Sequence, residues 1–174
     1  SWQGGGHSDR IRIKSLPLED FTDLLLGISA RFVSVQYGDV RSQVQRWQRQ
    51  DIDIIHSPEV DALKDMDTWL AQVAACDLVI SVANTTIHGA GGLNIPTLCL
   101  LSRNSDWRWI EGMPHSYWYS SVECSIQDRR GSWRCVVEDA KNWVSHNWPK
   151  TNPAPRNYNH LNFNHTLLTK ANVD

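Results

Sequence analysis

Short apolar runs alternate with amphipathic stretches along most of this 174-residue chain, and this alternation restricts the folds open to it. The runs are rich in β-branched residues and bounded by polar or turn residues, which is typical of strands. They are RFVSVQY (31–37), DIDIIH (51–56), DLVISVA (77–83), TLCLLS (97–102) and SVECSI (121–126). Apolar residues recur at helical spacing before the first run (18–29), between later runs (40–50 and 67–76) and after the last run (133–148). Strands alternating with helices predict an α/β fold of parallel βαβ units.

The run at 77–83 is apolar almost throughout, which favours a strand at the centre of a mainly parallel sheet with helices on both faces. We therefore predict one domain over residues 1–148. Beyond it the apolar periodicity stops, and residues 149–174 are rich in Asn and Pro. That composition predicts an extended or disordered tail outside the core.

Charge and composition exclude several functions. The formal net charge is −2, which argues against a nucleic-acid or anionic-membrane binder, because both need a basic face. No apolar run could span a bilayer and no signal segment is visible, so we expect a cytoplasmic protein. The four cysteines lack metal-ligand spacing and are expected to be reduced and buried. We expect the protein to have no metal site and no cofactor.

The segment DLVISVANTTIHGAGGLNIPTLCLL (77–101) contains the strongest candidate site. Asn84, Thr85 and Thr86 follow a strand and are suited to begin a helix. Parallel sheets bind ligands beyond the carboxyl ends of their strands, and a helix N-terminus there favours phosphate. The small residues that follow, Gly91 among them, would allow a ligand or a neighbouring backbone to approach closely.

His88 lies in the same short helix and has two plausible roles. It either fills a packing position with its ring hydrogen-bonded to the protein, or donates to a phosphate or a sugar hydroxyl. A general-base role is less favoured than both.

A second candidate segment is SWQGGGHSDRIRIKS (1–15). The three glycines Gly4, Gly5 and Gly6 predict a loop whose backbone can approach an anion. Cationic residues, Lys14 among them, follow within a few positions and would suit a diphosphate. The alternative is a flexible end whose charges are only solvated.

Two further stretches are weaker candidates. Asp65 and Asp67 stand at the start of a predicted helix, where N-capping accounts for at least one of them. The segment SDWRWIEGMPHSYWYSS (105–121) contains Arg108 and many aromatic residues, and predicts a packed lid or a contact surface. The chain has no Walker loop, HExxH, GxSxG or GxGxxG fingerprint.

The order of these segments, from SWQGG through RIKSLPLEDFTDLL and RFVSVQYGD to DLVISVANTTIHGAGGLNIPTLCLLSRNSDWRW and YWYSS, resembles the heptosyltransferase-like glycosyltransferases found downstream of tetratricopeptide repeats in bacterial proteins. The resemblance covers about residues 1–148. It implies the Rossmann-like C-terminal half of a GT-B enzyme, which binds the nucleotide-sugar donor for inverting, metal-independent transfer.

The resemblance also implies roles for individual residues. Gly4 and Gly5 would lie near the diphosphate, and Lys14 with Ser15 matches an Arg-Ser pair. The residues Thr85, Thr86, His88 and Gly91 would line the phosphates and the sugar, and Asp65 and Asp67 match an acidic stretch before a donor-site helix. The chain departs from the family at Ala83-Asn84, where many relatives have Asp-Thr, and at Gly89, where Leu is usual.

In such enzymes the acceptor site and the general base come largely from an N-terminal domain, and we find no convincing base in this chain. Its expected partners are a nucleoside-diphosphate sugar and an acceptor domain or tetratricopeptide repeats of a parent protein. The alternative is a non-catalytic binding or scaffold module derived from the same fold. A different α/β nucleotide-binding protein, such as a nicotinamide-dependent enzyme, is disfavoured because GxGxxG is missing.

Overall fold

Five short strands form the framework of the part of the chain that the structure describes. The structure, a computed structural model, describes residues 1–110 and 112–148; the predicted tail at 149–174 lies outside the described residues. The strands are β1 (Phe32–Val33), β2 (Ile54–Ile55), β3 (Val79–Val82), β4 (Thr97–Leu101) and β5 (Val122–Ile126). Each lies within one of the five predicted runs, so the runs were identified correctly and their ends were placed too generously.

Six helices connect or flank these strands. They are α1 (Ser8–Lys14), α2 (Leu18–Leu26), α3 (Arg41–Gln48), α4 (Met66–Ala74), α5 (Thr85–Gly92) and α6 (Arg134–Asn147). Five of them match predicted helices. Helix α1 was missed, and the reason is physical: it has no buried residue, so its sequence shows no apolar stripe.

All the strand pairs are parallel, which confirms the predicted fold class. Strand β1 pairs with β2, and the other three strands lie in the order β3-β4-β5. The central strand of this sheet is β4, which lies between β3 and β5. The prediction that the strand at 77–83, which is β3, is the central one is therefore wrong. Every residue of β4 is buried, whereas Ile80 of β3 is half-buried.

The second edge of β3 is nevertheless covered, by the first residues of the chain. The nitrogen of Ser1 donates to the carbonyl of Ile80 (3.0 Å), and the amide of Val82 donates to the carbonyl of Ser1 (3.1 Å). The Gln36 side chain, beyond β1, accepts from the amides of Trp2 (3.0 Å) and Gln3 (2.9 Å). Residues 1–3 thus lie between the two sheets and join them.

Helices cover both faces of the sheet. On one face Leu98 and Leu100 pack into a core with apolar residues of α2, α3 and α6. On the other face Cys99 and Leu101 pack with Ile87 of α5. Side chains on a strand alternate between the two faces, so β4 contributes to both cores. The doubly covered, Rossmann-like α/β arrangement follows directly.

Candidate functional site

A cleft of about 580 Å³ opens where several parallel strands end. Its lining comes from the segments that follow residues 1–3, β1, β3 and β4, and from the start of α4. The lining residues are Gly5, Gly6, Ile11, Val35, Tyr37, Ala62, Leu63, Met66, Trp69, Ala83, Asn84, Thr85, Thr86, His88, Asp106, Arg108 and Trp109. This is the edge at which open parallel sheets bind ligands. The two predicted segments, the glycine loop (Gly4–Gly6) and the start of α5, therefore meet at one cleft.

Asn84 connects these two segments. Its Oδ1 accepts from the amide of Thr86 (2.8 Å), which caps α5, and from the hydroxyl of Ser81 (3.0 Å). Its Nδ2 donates to Ser1 Oγ (2.8 Å) and to the carbonyl of Gln3 (3.0 Å). Asn84 thus fixes the helix start against the chain that leads into the glycine loop, and its amide group is used within the protein.

The start of α5 contributes Thr85 and Thr86 to the cleft. The amide of Thr86 is capped by Asn84, and that of Ile87 donates to the Asn84 carbonyl (3.2 Å). Within the described chain, the amide of Thr85 has no such partner, which leaves it as the donor at the helix end. The partial positive charge of a helix N-terminus favours an anion at this point.

Gly4, Gly5 and Gly6 have different surroundings. The amide of Gly4 donates to Ser15 Oγ (3.0 Å), and its carbonyl accepts from the Tyr37 hydroxyl (2.9 Å). Gly5 and Gly6 line the cleft, and Gly6 has a φ of +117°, a conformation that L side chains rarely adopt. Gly4 therefore anchors the loop, while Gly5 and Gly6 present backbone to the cleft.

Lys14 and Arg108 both contact one carboxylate. Asp106 Oδ2 lies 2.9 Å from Lys14 Nζ and 3.5 Å from Arg108 Nη1. Burial alone would raise the pKa of Asp106, but the hydrogen bonds from Lys14 and the Arg108 amide, with the two cationic charges, hold that pKa below its ordinary value. The Lys14 ammonium is therefore engaged by Asp106, whereas Arg108 reaches the cleft lining itself.

The Arg108 guanidinium is held from two sides. Its central carbon lies 4.8 Å from the centre of the Trp107 ring, in a cation–π arrangement, and its Nη1 contacts Asp106. The Trp118 indole nitrogen donates to the Arg108 carbonyl (3.3 Å). A guanidinium fixed in this way is prepared to bind a planar or bidentate anion.

His88 lines the cleft and is held by two aromatic residues. Its Nδ1 lies 3.1 Å from the Tyr119 hydroxyl, and its ring stacks on Trp109 at 6.1 Å between centroids. Burial lowers the pKa of His88, and Arg108 lowers it further, against an opposite effect of Asp106. These effects favour the neutral form of the ring. The geometry combines both roles considered for His88, because the ring is partly packed and also lines the cleft.

One wall of the cleft is apolar. It includes Val35, Ala62, Leu63, Met66 and the ring of Trp69, whose indole nitrogen donates to the Val35 carbonyl (3.1 Å). This wall was not predicted from the sequence. Leu63 lies in a loop between β2 and α4 that carries no recognisable motif, and the start of α4 was singled out for its acidic residues rather than for Met66 and Trp69.

Five predicted site residues lie outside the cleft lining: Gly4 and Lys14, described above, and Asp65, Asp67 and Gly91. Asp65 caps α4 by accepting from the amides of Asp67 and Thr68, and Asp67 lies in the first turn of that helix. Gly91 is two turns from the start of α5, and a Cβ there would overlap the Tyr119 ring. The expected contact of Gly91 with the phosphates is therefore corrected: this glycine is required for packing against Tyr119.

The sequence also left Tyr37, Asp106, Trp109 and Tyr119 out of the candidate site. The first three follow the ends of β1 and β4, and that position was the available signal. Gly89, where the resemblance expects Leu, allows Trp69 and Leu70 of α4 to pack closely, at 3.0 Å from a hypothetical Cβ.

Comparison with known proteins gives one distant relative. Protein FlbA of Caulobacter vibrioides is 35% identical to this chain over 104 residues, which is 59% of this chain and 17% of FlbA. The chain thus spans less than a fifth of that relative's length. No family model matches the chain, and no solved structure matches it.

Within 1–110 and 112–148, no three or more His, Cys, Asp or Glu side chains are grouped so that they could hold a metal ion. None of the helices in those ranges has the length and apolar character needed to cross a membrane.

Proposed function

We propose that the cleft binds the diphosphate of a nucleotide-sugar donor and that the chain is the donor half of an inverting, metal-independent glycosyltransferase of GT-B type. The observation that carries this proposal is the meeting of Gly5 and Gly6 with Thr85 and Thr86 at one cleft, across about 80 residues of sequence. A backbone loop and a helix N-terminus that face each other suit an anion between them.

The charges around the cleft support an anionic ligand. Asp106 is the one carboxylate that the described chain contributes to the lining, and both Lys14 and Arg108 contact it. Two cations against one anion leave a net positive charge beside the helix start. Arg108 can place its remaining N–H groups on phosphate oxygens without reorganising, because Trp107 and Asp106 already hold it.

The apolar wall supports a ligand that is more than a phosphate. Leu63 and Met66 are exposed at the mouth of the cleft, and Trp69 is buried behind them. A cleft of about 580 Å³ lies within the range of roughly 300–1,000 Å³ that small-molecule sites occupy. We propose that a nucleobase or sugar covers this wall while the diphosphate lies at the helix start.

A binding module without catalysis is the second candidate, and two observations favour it. Ala83 lines the cleft at the end of β3, where the resemblance expects an Asp. The low pKa of Asp106 makes that carboxylate a poor general base. If the chain belongs to a transferase, we propose that the base and the acceptor site come from another domain of a cytoplasmic parent protein.

Isothermal titration calorimetry with UDP, GDP, ADP and their sugar conjugates tests the donor-site proposal. We expect one nucleoside diphosphate to bind, and Arg108→Ala to weaken it by roughly tenfold or more, because a hydrogen bond to a charged group is lost. The matched control is Arg46→Ala, an exposed arginine on α3, which should bind like the parent.

Two results would reject the proposal. One is the absence of binding by every nucleotide, and the other is equal binding by the parent and both arginine variants. Sugar transfer by residues 1–174 alone would instead reject the second candidate, and would show that a base within this chain had been overlooked.

A further inference from the structure

Tyr119 contacts His88 although 31 residues separate them in sequence. The contact joins the Tyr119 hydroxyl to His88 Nδ1 at 3.1 Å, and the two rings meet edge to face at 5.8 Å between centroids. In the part of the chain that the structure describes, neither the Tyr119 hydroxyl nor His88 Nε2 has another hydrogen-bond partner. The two residues therefore form an isolated pair at the edge of the cleft.

The chemistry of the pair determines which nitrogen carries the proton. A neutral imidazole has one N–H donor and one acceptor nitrogen. A phenol hydroxyl without another acceptor nearby donates to the imidazole, so Nδ1 accepts and the proton of the ring lies on Nε2. Because Nδ1 is engaged by Tyr119, Nε2 is the nitrogen available to a ligand.

We propose that Tyr119 is a positioning residue that fixes His88 in the Nε2–H tautomer, so that the neutral ring presents an N–H donor to an anionic ligand in the cleft. The ligand in this statement rests on the proposed function. The tautomer does not, because it is a property of the protein without ligand. His88 thereby acts as a hydrogen-bond donor rather than as a base.

Packing supports the geometry of the pair. Trp109 stacks on the His88 ring with an interplanar angle of 25°, which restricts its rotation. A Cβ at Gly91 would stand 2.8 Å from Tyr119 Cδ1 and Cδ2, and closer still to Cγ. The absence of a side chain at Gly91 therefore allows the Tyr119 ring to approach α5 closely enough to reach His88. This explains why a glycine occupies a helical position that would otherwise favour alanine.

The surroundings of His88 favour the neutral form of its ring. Burial and the Arg108 guanidinium lower its pKa, and Asp106 opposes them. The two tautomers of a neutral ring differ in their ability to bind an anion, because only the nitrogen that carries the proton can donate a hydrogen bond to phosphate. A residue that selects between these tautomers consequently changes the site without changing its charge.

Nuclear magnetic resonance of protein labelled with ¹⁵N-histidine measures the tautomer directly. At neutral pH and without ligand, we expect long-range ¹H–¹⁵N correlations to report His88 with the proton on Nε2. Tyr119→Phe keeps the ring and removes the hydroxyl, so the Nδ1–H form should appear. The matched control is Tyr117→Phe, since Tyr117 lies in the same loop and is largely exposed; it should leave the spectrum unchanged.

The same variants are then titrated with UDP, GDP and ADP. We expect Tyr119→Phe to weaken the nucleotide that binds by roughly two- to tenfold, the loss of one hydrogen bond, and Tyr117→Phe to bind like the parent. Gly91→Ala should shift the tautomer in the same direction as Tyr119→Phe.

The outcomes separate this inference from the proposed function. A parent spectrum with the proton on Nδ1, or a tautomer that Tyr119→Phe leaves unchanged, overturns the inference whatever the nucleotides do. If the tautomer responds to Tyr119→Phe but the nucleotide affinity stays unchanged, the positioning role of Tyr119 is overturned. If no nucleotide binds but the tautomer responds as expected, the proposed ligand is wrong and the assignment of Tyr119 to His88 stands.

Discussion

Two groups of aromatic residues in this molecule have opposite surroundings. Trp2, Phe21 and Trp47 form a buried cluster with ring centroids 4.9–5.3 Å apart. Trp107 and Trp118, in the loop after β4, also pack against each other, edge to face at 6.0 Å, but they are 73% and 56% exposed. Aromatic side chains at comparable ring separations therefore occur once inside the protein and once at its surface.

The difference lies in what each group holds in place. The buried cluster packs residues 1–3 onto α2 and α3, and the Trp47 indole nitrogen donates to Thr22 Oγ1 at 2.8 Å. The exposed pair holds Arg108, through the ring of Trp107 and the indole nitrogen of Trp118. We infer that the first group contributes to folding and the second to the organisation of the cleft. The sequence contains nine tryptophans, but this count alone does not distinguish the two roles.

Trp47→Ala tests the buried half of this comparison and should have the largest effect. Trp47 is 1% exposed, so its removal leaves a cavity and removes the hydrogen bond that Thr22 Oγ1 accepts from the indole nitrogen. We expect the free energy of unfolding, measured with urea, to fall by about 3–5 kcal/mol. A loss below about 1 kcal/mol would show that the cluster is not a main source of stability.

Asp106→Asn tests the contact that ties the exposed loop to α1, and should have an intermediate effect. The pKa of Asp106 is lowered in the folded state, so its ionised carboxylate stabilises the fold. This stabilisation is fully present above the unfolded pKa of about 3.9 and is lost as the pH falls through the folded pKa. We expect the variant to be about 1 kcal/mol less stable at pH 7.

The pH dependence provides the control for that prediction. Urea unfolding of the parent and of Asp106→Asn is measured at pH 7 and again near pH 3. The difference between the two proteins should narrow towards acid, because the parent loses the ionised carboxylate. A difference that stays constant or widens would mean that the ion pair with Lys14 does not stabilise the folded state.

Trp107→Ala tests the exposed half and should have the smallest effect on stability. We expect the free energy of unfolding to change by no more than about 0.5 kcal/mol, as for most surface substitutions. Nucleotide affinity should nevertheless fall by roughly two- to fivefold, since the cation–π contact that holds Arg108 is lost. Tyr117→Ala, an exposed aromatic residue of the same loop, should change neither quantity.

The sequence predicted the elements of the fold better than their arrangement. Apolar patterning identified all five strands and four of the helices, because these elements pack apolar side chains against the core. The fifth helix, α5, was indicated by the capping residues that follow the strand at 77–83. The order of the strands did not follow from it. The run at 77–83 is apolar almost throughout, as in a strand with neighbours on both sides, yet β3 is an edge strand of the β3-β4-β5 sheet. The reason is that the backbone of Ser1 covers the second edge of β3.

Prediction of the candidate site was partial for a similar reason. Gly5, Gly6, Thr85 and Thr86 were assigned to one site because the family resemblance places the glycine loop beside the start of α5, and the structure brings them to one cleft. The pairing of Lys14 with Asp106 joins residues 92 positions apart and has no local signal. The misplacement of Gly91 has the same origin, because its neighbour Tyr119 becomes visible only once the chain is folded.

Chemical-shift mapping of backbone amides during titration with a nucleoside diphosphate tests the central claim most directly. The claim is that the glycine loop and the start of α5 form one anion site. We predict that the largest shifts occur together at Gly5, Gly6, Thr85 and Thr86, and saturate at the same ligand concentration. Shifts confined to one of the two segments, or largest elsewhere while these amides remain unperturbed, would contradict the claim.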